Sequence, residues 1–389
     1  MHFASRTKLP PNPIVGLSDK IAEISKRTGN FIPLQQGDLD FPTPPHIVEA
    51  ASKALLDGYT KYAPASGYAE LRYAIARKLR EFNGIDCDPD HEILVTQGSN
   101  EALYVSLSSL LDPGDEAILV DPCYPPYDSL VRAAGAVPVH AASSEGNGWL
   151  PLIEDLEKSI TPRTRVVLVN TPNNPTGELY PREYLEEIGD LASRHSLVLL
   201  SDEAYEALTY DGFRHVSPAA VPQLRGRTAA AFSFSKTYAM TGWRLGYLYG
   251  PREFIERASV MHNLVLAHVS SHIQIAGARA LSESQSCVES IVKELDRRRQ
   301  LLVRGLNRIE GVSCRAPKGT FYAFPKFDFQ IPTEALARKL IERGVGTSPG
   351  PFFGYCGEGY LRLSFSKVDI AQIKEALKRI ETVTTSLIR

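Results

Sequence analysis

Between Glu92 and Gly250 short apolar runs alternate with longer stretches of helical spacing. EILV is followed by SNEALYVSLSSLL, then EAILV, the segment after YPPY, and AVPVH; RVVLV, PREYLEEIGDLASRH, SLVLL, TAAAFSF and RLGYLYG continue the alternation. A short uninterrupted apolar run suits a strand buried on both faces. Strands that alternate with helices need crossover connections of one hand. The pattern therefore predicts an α/β domain with a mainly parallel sheet covered on both sides.

Beyond this stretch the pattern changes. Residues 285–309 carry Val, Ile and Leu at helical spacing without a proline, which predicts one long helix crossing between domains. FYAF and YLRLSF read as short strands, separated by the helical PTEALARKLIERG and followed by KVDIAQIKEALKRIETV. They predict a smaller α+β layer, against which a helix over Leu17 to Arg27 is expected to pack. The expected division is a large domain over residues 46–284 and a small one from 1–45 and 285–389. A chain of 389 residues is long enough for two cores, since single cores stop growing near ~250–300 residues.

Composition narrows the function classes. Hydrophobic residues at 43% and charged residues at 23% describe a globular protein. A formal net charge of −2 gives no general attraction to nucleic acid or to an anionic membrane. The one basic run, Arg297-Arg298-Arg299, lies between Glu294 and Leu301-Leu302-Val303 and is expected on the solvated face of the long helix. Cys87, Cys123, Cys287, Cys314 and Cys356 are odd in number and lack CxxC spacing, against a disulfide framework and a zinc site. MHFASRTKLPPNP has no apolar core of signal-peptide length, and no window approaches ~18 uncharged apolar residues. A soluble, cytoplasmic protein is expected.

Candidate chemistry gathers at predicted strand ends, where open α/β sheets bind ligands. Lys236 in SFSKTYAMTGWRLG follows one such strand, and partial desolvation there would favour its neutral, nucleophilic amine. Arg244 lies eight residues on, close to Ser233 and Ser235, a set suited to a phosphate. Asp202 ends SLVLLSD, where a carboxylate could keep a ring nitrogen protonated, and Tyr205 could bond a ring oxygen. VNTPNNPTG presents Asn173 and Asn174 at the same edge. Gly98, Ser99 and Asn100 lie between a strand and a helix, whose first amides can hold an anion. Tyr124 could stack on a planar ring. Taken singly each segment also reads as a surface lysine, a turn, an N-cap or core packing. Gly346-Thr347-Ser348-Pro349-Gly350 matches the GxSxG of serine hydrolases, but Pro349 lacks the N–H that the oxyanion would need.

The ordered set resembles class I/II aminotransferases, enzymes of pyridoxal-phosphate fold type I. The resemblance runs from LSDKIAEISKRTGNFIPLQQGDLDFPTP through YTKYAPASGYAELRYAIA to PKGTFYAF, SPGPFFG and YLRLSFS. It implies pyridoxal 5'-phosphate as cofactor, with Lys236 as the Schiff-base lysine and proton shuttle. Asp202 then partners the ring nitrogen, Asn174 and Tyr205 the phenolic oxygen, and Tyr124 stacks on the ring. Gly98, Ser99, Asn100, Ser233, Ser235 and Arg244 form the phosphate cup. Arg362 and the backbone of Gly37 bind the substrate carboxylate, beside Asn174. Tyr62 resembles the tyrosine that the family lends to the neighbouring subunit, which implies a homodimer.

The implied reaction moves an α-amino group from an L-amino acid to a 2-oxo acid by a ping-pong route. Some family members bind a dicarboxylate side chain with a lysine in the phosphate turn and a threonine near the substrate. This chain has Asn100 and Ile14 there, so an apolar or aromatic donor is expected instead. Elimination, decarboxylation or oxidation on the same fold, and a non-catalytic regulatory protein, are the alternatives.

Overall fold

The computed structural model describes residues 30–388 together with residues 1–3, 7–9, 13, 14, 16, 17 and 21. Most of the helix expected over Leu17 to Arg27 lies outside the described residues. The alternating region folds into a seven-stranded sheet: β1 (Ile93–Thr96), β2 (Glu116–Asp121), β3 (Val137–Ala142), β4 (Thr164–Asn170), β5 (Val198–Asp202), β6 (Thr228–Ser233) and β7 (Gly246–Tyr249). Their spatial order is β1-β7-β6-β5-β4-β2-β3. β6, β5, β4, β2 and β3 pair in parallel, whereas β7 runs antiparallel to both β6 and β1. The alternation had placed β7 among parallel crossovers. Residues 234–245, with one helical turn at Phe234–Thr237, are too short for a crossover helix, so the chain returns along the sheet.

Successive residues of the central strands enter different cores. Ile118, Val167, Val169 and Leu199 pack with the helix Arg182–Arg194. Ala117, Leu119, Val166, Leu168 and Leu200 pack with the helix Ser99–Leu110. Both faces are thus covered, which is why these strands read as unbroken apolar runs. β1 and the parallel strands point the same way, so Thr96, Asn170, Asp202 and Ser233 end at one edge.

The long helix spans Ser286–Leu306 and carries Leu295, Leu302 and Leu306 into a separate core. There the helices Thr333–Glu342 and Ile370–Ile388 lie with β9 (Tyr322–Ala323), β11 (Ser348–Pro349) and β12 (Leu361–Ser364), ordered β11-β12-β9. β8 (Val312–Ser313) pairs with β10 (Lys326–Phe327). The basic run departs from expectation: Arg298 and Arg299 are buried, and only Arg297 faces water. Arg298 binds both oxygens of Asp40 and one of Glu294, while Arg299 binds Asp211 and Asp296. Charges with such partners tolerate burial; Glu294 and Asp296 lie on the same helix, but Asp40 and Asp211 come from segments that the local pattern does not connect.

Candidate active site

The shared strand edge forms a cleft of about 260 Å3. At one end the helix Ser99–Leu110 begins, leaving the first amides without intrahelical acceptors. Gly98 precedes it with φ +82°, and a Cβ there would come within 2.7 Å of the Arg244 guanidinium. Only glycine meets both constraints without strain. Ser233 ends β6, its hydroxyl accepting from the Ser235 amide at 3.1 Å, and Arg244 reaches the Ser235 hydroxyl at 3.4 Å. Ser99, Asn100, Ser233, Ser235 and Arg244 all line the cleft. Hydroxyls, helix-end amides and an exposed guanidinium make an anion cup there.

In the middle lies Asp202, buried at the end of β5. It accepts the Tyr127 hydroxyl at 2.7 Å and the Ala204 amide at 3.1 Å. Burial pushes its carboxyl up to about 6, only partly opposed by those bonds. Asn170 sits beside it in the β4–β5 register; its amide donates to the Asp202 carbonyl and its oxygen accepts the Asn174 amide. Tyr124 is half-buried, edge-on to Tyr127 at 5.5 Å. The Tyr205 hydroxyl lies 3.2 Å from that of Tyr322.

Lys236 projects from the turn after β6, and its Nζ donates to the Gly37 carbonyl at 2.8 Å. Burial lowers its ammonium to about 8; Arg244 and Arg362 push the same way, against Asp38 and Asp202. Gly37 carries no side chain because the Tyr322 hydroxyl fills the space where a Cβ would stand. At the far end Arg362 of β12 is buried and donates to Asn174 Oδ1 at 3.1 Å and to the Gln35 carbonyl at 2.8 Å. Its guanidinium lies 4.3 Å from the Tyr322 ring centre and 4.9 Å from that of Phe353. Its Nε is buried without a partner among the described residues. A buried guanidinium with donors to spare and no carboxylate partner is built to receive an anion from outside.

The residues expected in this chain's own cleft converge except for Asn173; Tyr62 is expected to serve a neighbouring subunit. Tyr62 is 91% exposed, in edge contact with His268, and does not line this cleft. Asn173, expected at the same edge, instead closes its own turn by accepting the amide and hydroxyl of Thr176. Ser348 of the GxSxG match lies buried in β11, registered against Arg362, with no histidine on the cleft wall among the described residues. Sequence reasoning missed Tyr127, Asn170 and Tyr322. The strand-end rule that found Asp202 also applies to Asn170, and Tyr127 stands one helical turn after Tyr124. Tyr322 has no such signal, because it arrives from the second core.

The anion cup, the Asp202 carboxyl that burial leaves short of a cationic partner, and the partly neutral Lys236 between them fit the phosphate, ring nitrogen and aldehyde of a phosphate-bearing aromatic cofactor.

A family model described as aminotransferase class I and II matches residues 29–380. The chain is 38% identical over 368 residues to aromatic-amino-acid aminotransferase 2 of Thermococcus litoralis, covering 94% of each. It is 38% identical over 380 residues to aspartate/prephenate aminotransferase of Thermus thermophilus, covering 96% of each. The solved structure of aspartate aminotransferase from Thermus thermophilus with maleate superposes with a TM-score of 0.93 at 37% identity, over 98% of this chain and 100% of that one. The chain therefore belongs to the class I and II aminotransferases, transferases of fold type I that depend on pyridoxal phosphate.

Proposed function

We propose that this enzyme takes the α-amino group from an apolar or aromatic L-amino acid and passes it to a 2-oxo acid, through Lys236, Asp202 and Arg362. The observation that carries this reading is the Lys236 amine, lowered to about 8 and lying in one cleft with the raised Asp202 carboxyl and the half-satisfied Arg362. Pyridoxal phosphate, when bound, supplies the ring that accepts the electron pair left as the amino acid's Cα–H bond breaks. Arg362 and Asn174 hold the α-carboxylate. The neutral Lys236 Nζ takes the Cα proton of the amino acid and, as the ammonium, would deliver it to the imine carbon on the cofactor's side. Asp202, ionised beside a cation, holds the ring nitrogen protonated, and Tyr127 and the Ala204 amide fix its two oxygens. Asn174 and Tyr205 bind the phenolic oxygen, Tyr124 stacks on the ring, and Gly98, Ser99, Asn100, Ser233, Ser235 and Arg244 hold the phosphate.

The donor follows from charge. The cations lining the cleft among the described residues are Lys236, Arg244 and Arg362, and each has a task that leaves none for a side-chain carboxylate. Ile14, Tyr124, Tyr127, Tyr205 and Tyr322 supply apolar and aromatic wall instead. Relatives carry both aromatic and aspartate names, so the donor is decided by rates. With one 2-oxo acid as acceptor, kcat/KM for phenylalanine or tyrosine is expected to exceed that for aspartate by about 10-fold or more. A preference for aspartate would overturn this donor assignment. Arg362→Ala is expected to raise KM for both amino acid and oxo acid by about 30- to 1000-fold, the loss of ~2–4 kcal/mol from a buried charged pair. An unchanged KM would remove Arg362 from carboxylate binding.

The same reading divides the chain into a large domain over 46–284 and a small one from 1–45 and 285–389. It places Tyr62 in the active site of a second subunit. Tyr62 is exposed, as are Leu56 and Leu264 at 89% and 77%, apolar side chains that a subunit contact would cover. A cytoplasmic location fits five free cysteines. Among the described residues no helix is long and apolar enough to cross a membrane.

A further inference from the structure

A second cavity, of about 500 Å3, lies on the other side of the Lys236 turn. Ser233 lines both spaces, Lys236 faces the catalytic cleft, and Phe234, Thr237 and Tyr238 face the second cavity. Its walls include the aromatic and apolar Tyr238, Tyr247, Leu281 and Val288, with Phe82 half exposed beside them, and polar groups gather at one place. At its floor Lys78 has three acceptors, Asn83, Glu206 and Tyr247, which use all three of its protons. Glu206 in turn accepts from Asn83. The floor charges are thus satisfied and leave nothing that demands a ligand charge deep inside.

The mouth differs. Arg77, Glu81 and Glu289 line it and are exposed. Arg77 donates to the Ser282 hydroxyl and has no carboxylate partner, and neither glutamate has a cationic one, among the described residues. An apolar interior behind one uncommitted cation and two uncommitted anions matches a small molecule that carries both charges at one end and an apolar side chain at the other.

We propose that this cavity binds an apolar or aromatic α-amino acid as an intact zwitterion, distinct from the molecule undergoing reaction. The side chain enters among Phe82, Tyr238 and Val288. The carboxylate meets Arg77, and the ammonium meets Glu81 and Glu289. Tyr238 donates to Gln285 at 2.8 Å, just before the helix Ser286–Leu306 that leaves for the second core. A ligand here touches the Lys236 turn and the root of that helix together, so its binding is coupled to turnover. This inference does not depend on which amino acid the catalytic cleft prefers.

The probe is N,N-dimethyl-L-phenylalanine, whose tertiary amine cannot condense with an aldehyde, titrated calorimetrically into the holoenzyme. Saturable binding is expected to weaken about 10-fold in Arg77→Ala and in Glu289→Ala, the equivalent of one lost charge contact, and to survive in Arg362→Ala. Both rim variants are expected to keep normal turnover without the probe. With it, kcat should change in the unmodified enzyme and much less in Glu289→Ala. No saturable binding would overturn the proposal, as would binding that is lost in Arg362→Ala and unaltered in both rim variants. Binding at the rim-dependent site with no change in kcat would overturn the coupling. Amino transfer by the untreated enzyme reports on the catalytic assignment separately.

Discussion

Lys236→Ala is expected to lower kcat for amino transfer by about 10^4-fold or more, with the fold and cofactor cup intact. Positioned general acid–base groups contribute about 10^2–10^4-fold, and in the function proposed here Lys236 is also the covalent anchor, so both losses fall on one substitution. Its Nζ donates a hydrogen bond to the Gly37 carbonyl, and burial already lowers it to about 8. It is therefore substantially neutral under mildly alkaline conditions, and the amine is available without an external base. Steady-state rates give the first measurement. Borohydride reduction of the holoenzyme followed by peptide mass mapping gives the second: the cofactor mass should sit on the peptide containing Lys236 and vanish in the variant. Attachment to Lys78 or Lys318 instead would refute the assignment.

Asp202→Asn should cost about 10^3-fold in kcat while making the cofactor-free protein more stable at alkaline pH. The catalytic loss follows because an amide cannot stabilise a protonated ring nitrogen as a carboxylate does. The stability gain follows from burial, which raises the Asp202 carboxyl from 3.8 to about 6 in the folded chain. A raised carboxyl binds its proton more tightly folded than unfolded. Its contribution to stability is therefore fully present below about 4 and is lost as pH rises through about 6. By pH 8 the buried carboxylate costs ~3 kcal/mol, with the bonds from Tyr127 and the Ala204 amide already counted in that balance. Asparagine removes that cost. Denaturant titrations of the two cofactor-free proteins should differ by ~1–3 kcal/mol at pH 8, favouring the variant, and converge toward pH 4. A variant less stable at pH 8 would mean that the carboxylate is not the strained group. The residue that matters most to the ring is thus one the empty fold would be more stable without.

Much of this site could be read from local pattern. Apolar runs ending in Asp202, Ser233 and the VNTPNN turn marked strand ends, and strands that run the same way bring their ends to one edge whatever their order. Gly98 before a helix gave an anion site for the same local reason: a helix cannot satisfy its own first amides. Three features were not legible. The antiparallel direction of β7 depends on residues 234–245 being too short for a crossover, which alternation does not express. The burial of Arg298 and Arg299 depends on Asp40 and Asp211, far away in sequence. Tyr322 reaches Tyr205 only because the second core docks against the sheet edge.

By itself the sequence determined the α/β alternation, the strand-end positions of Lys236 and Asp202, and the cup of Gly98, Ser99, Ser235 and Arg244. The alternation and the strand ends rest on hydrogen bonds and apolar burial set within a few residues, and the cup on segments that a shared sheet edge brings together. Only the tertiary structure decided the electrostatic state of the site. Desolvation of Lys236 and Asp202, the pairing of Arg362 with Asn174 and the Gln35 carbonyl, and the cavity behind the Lys236 turn all arise where segments distant in the chain exclude water together. Burial is a property of everything packed around a group, and no local run of residues contains it.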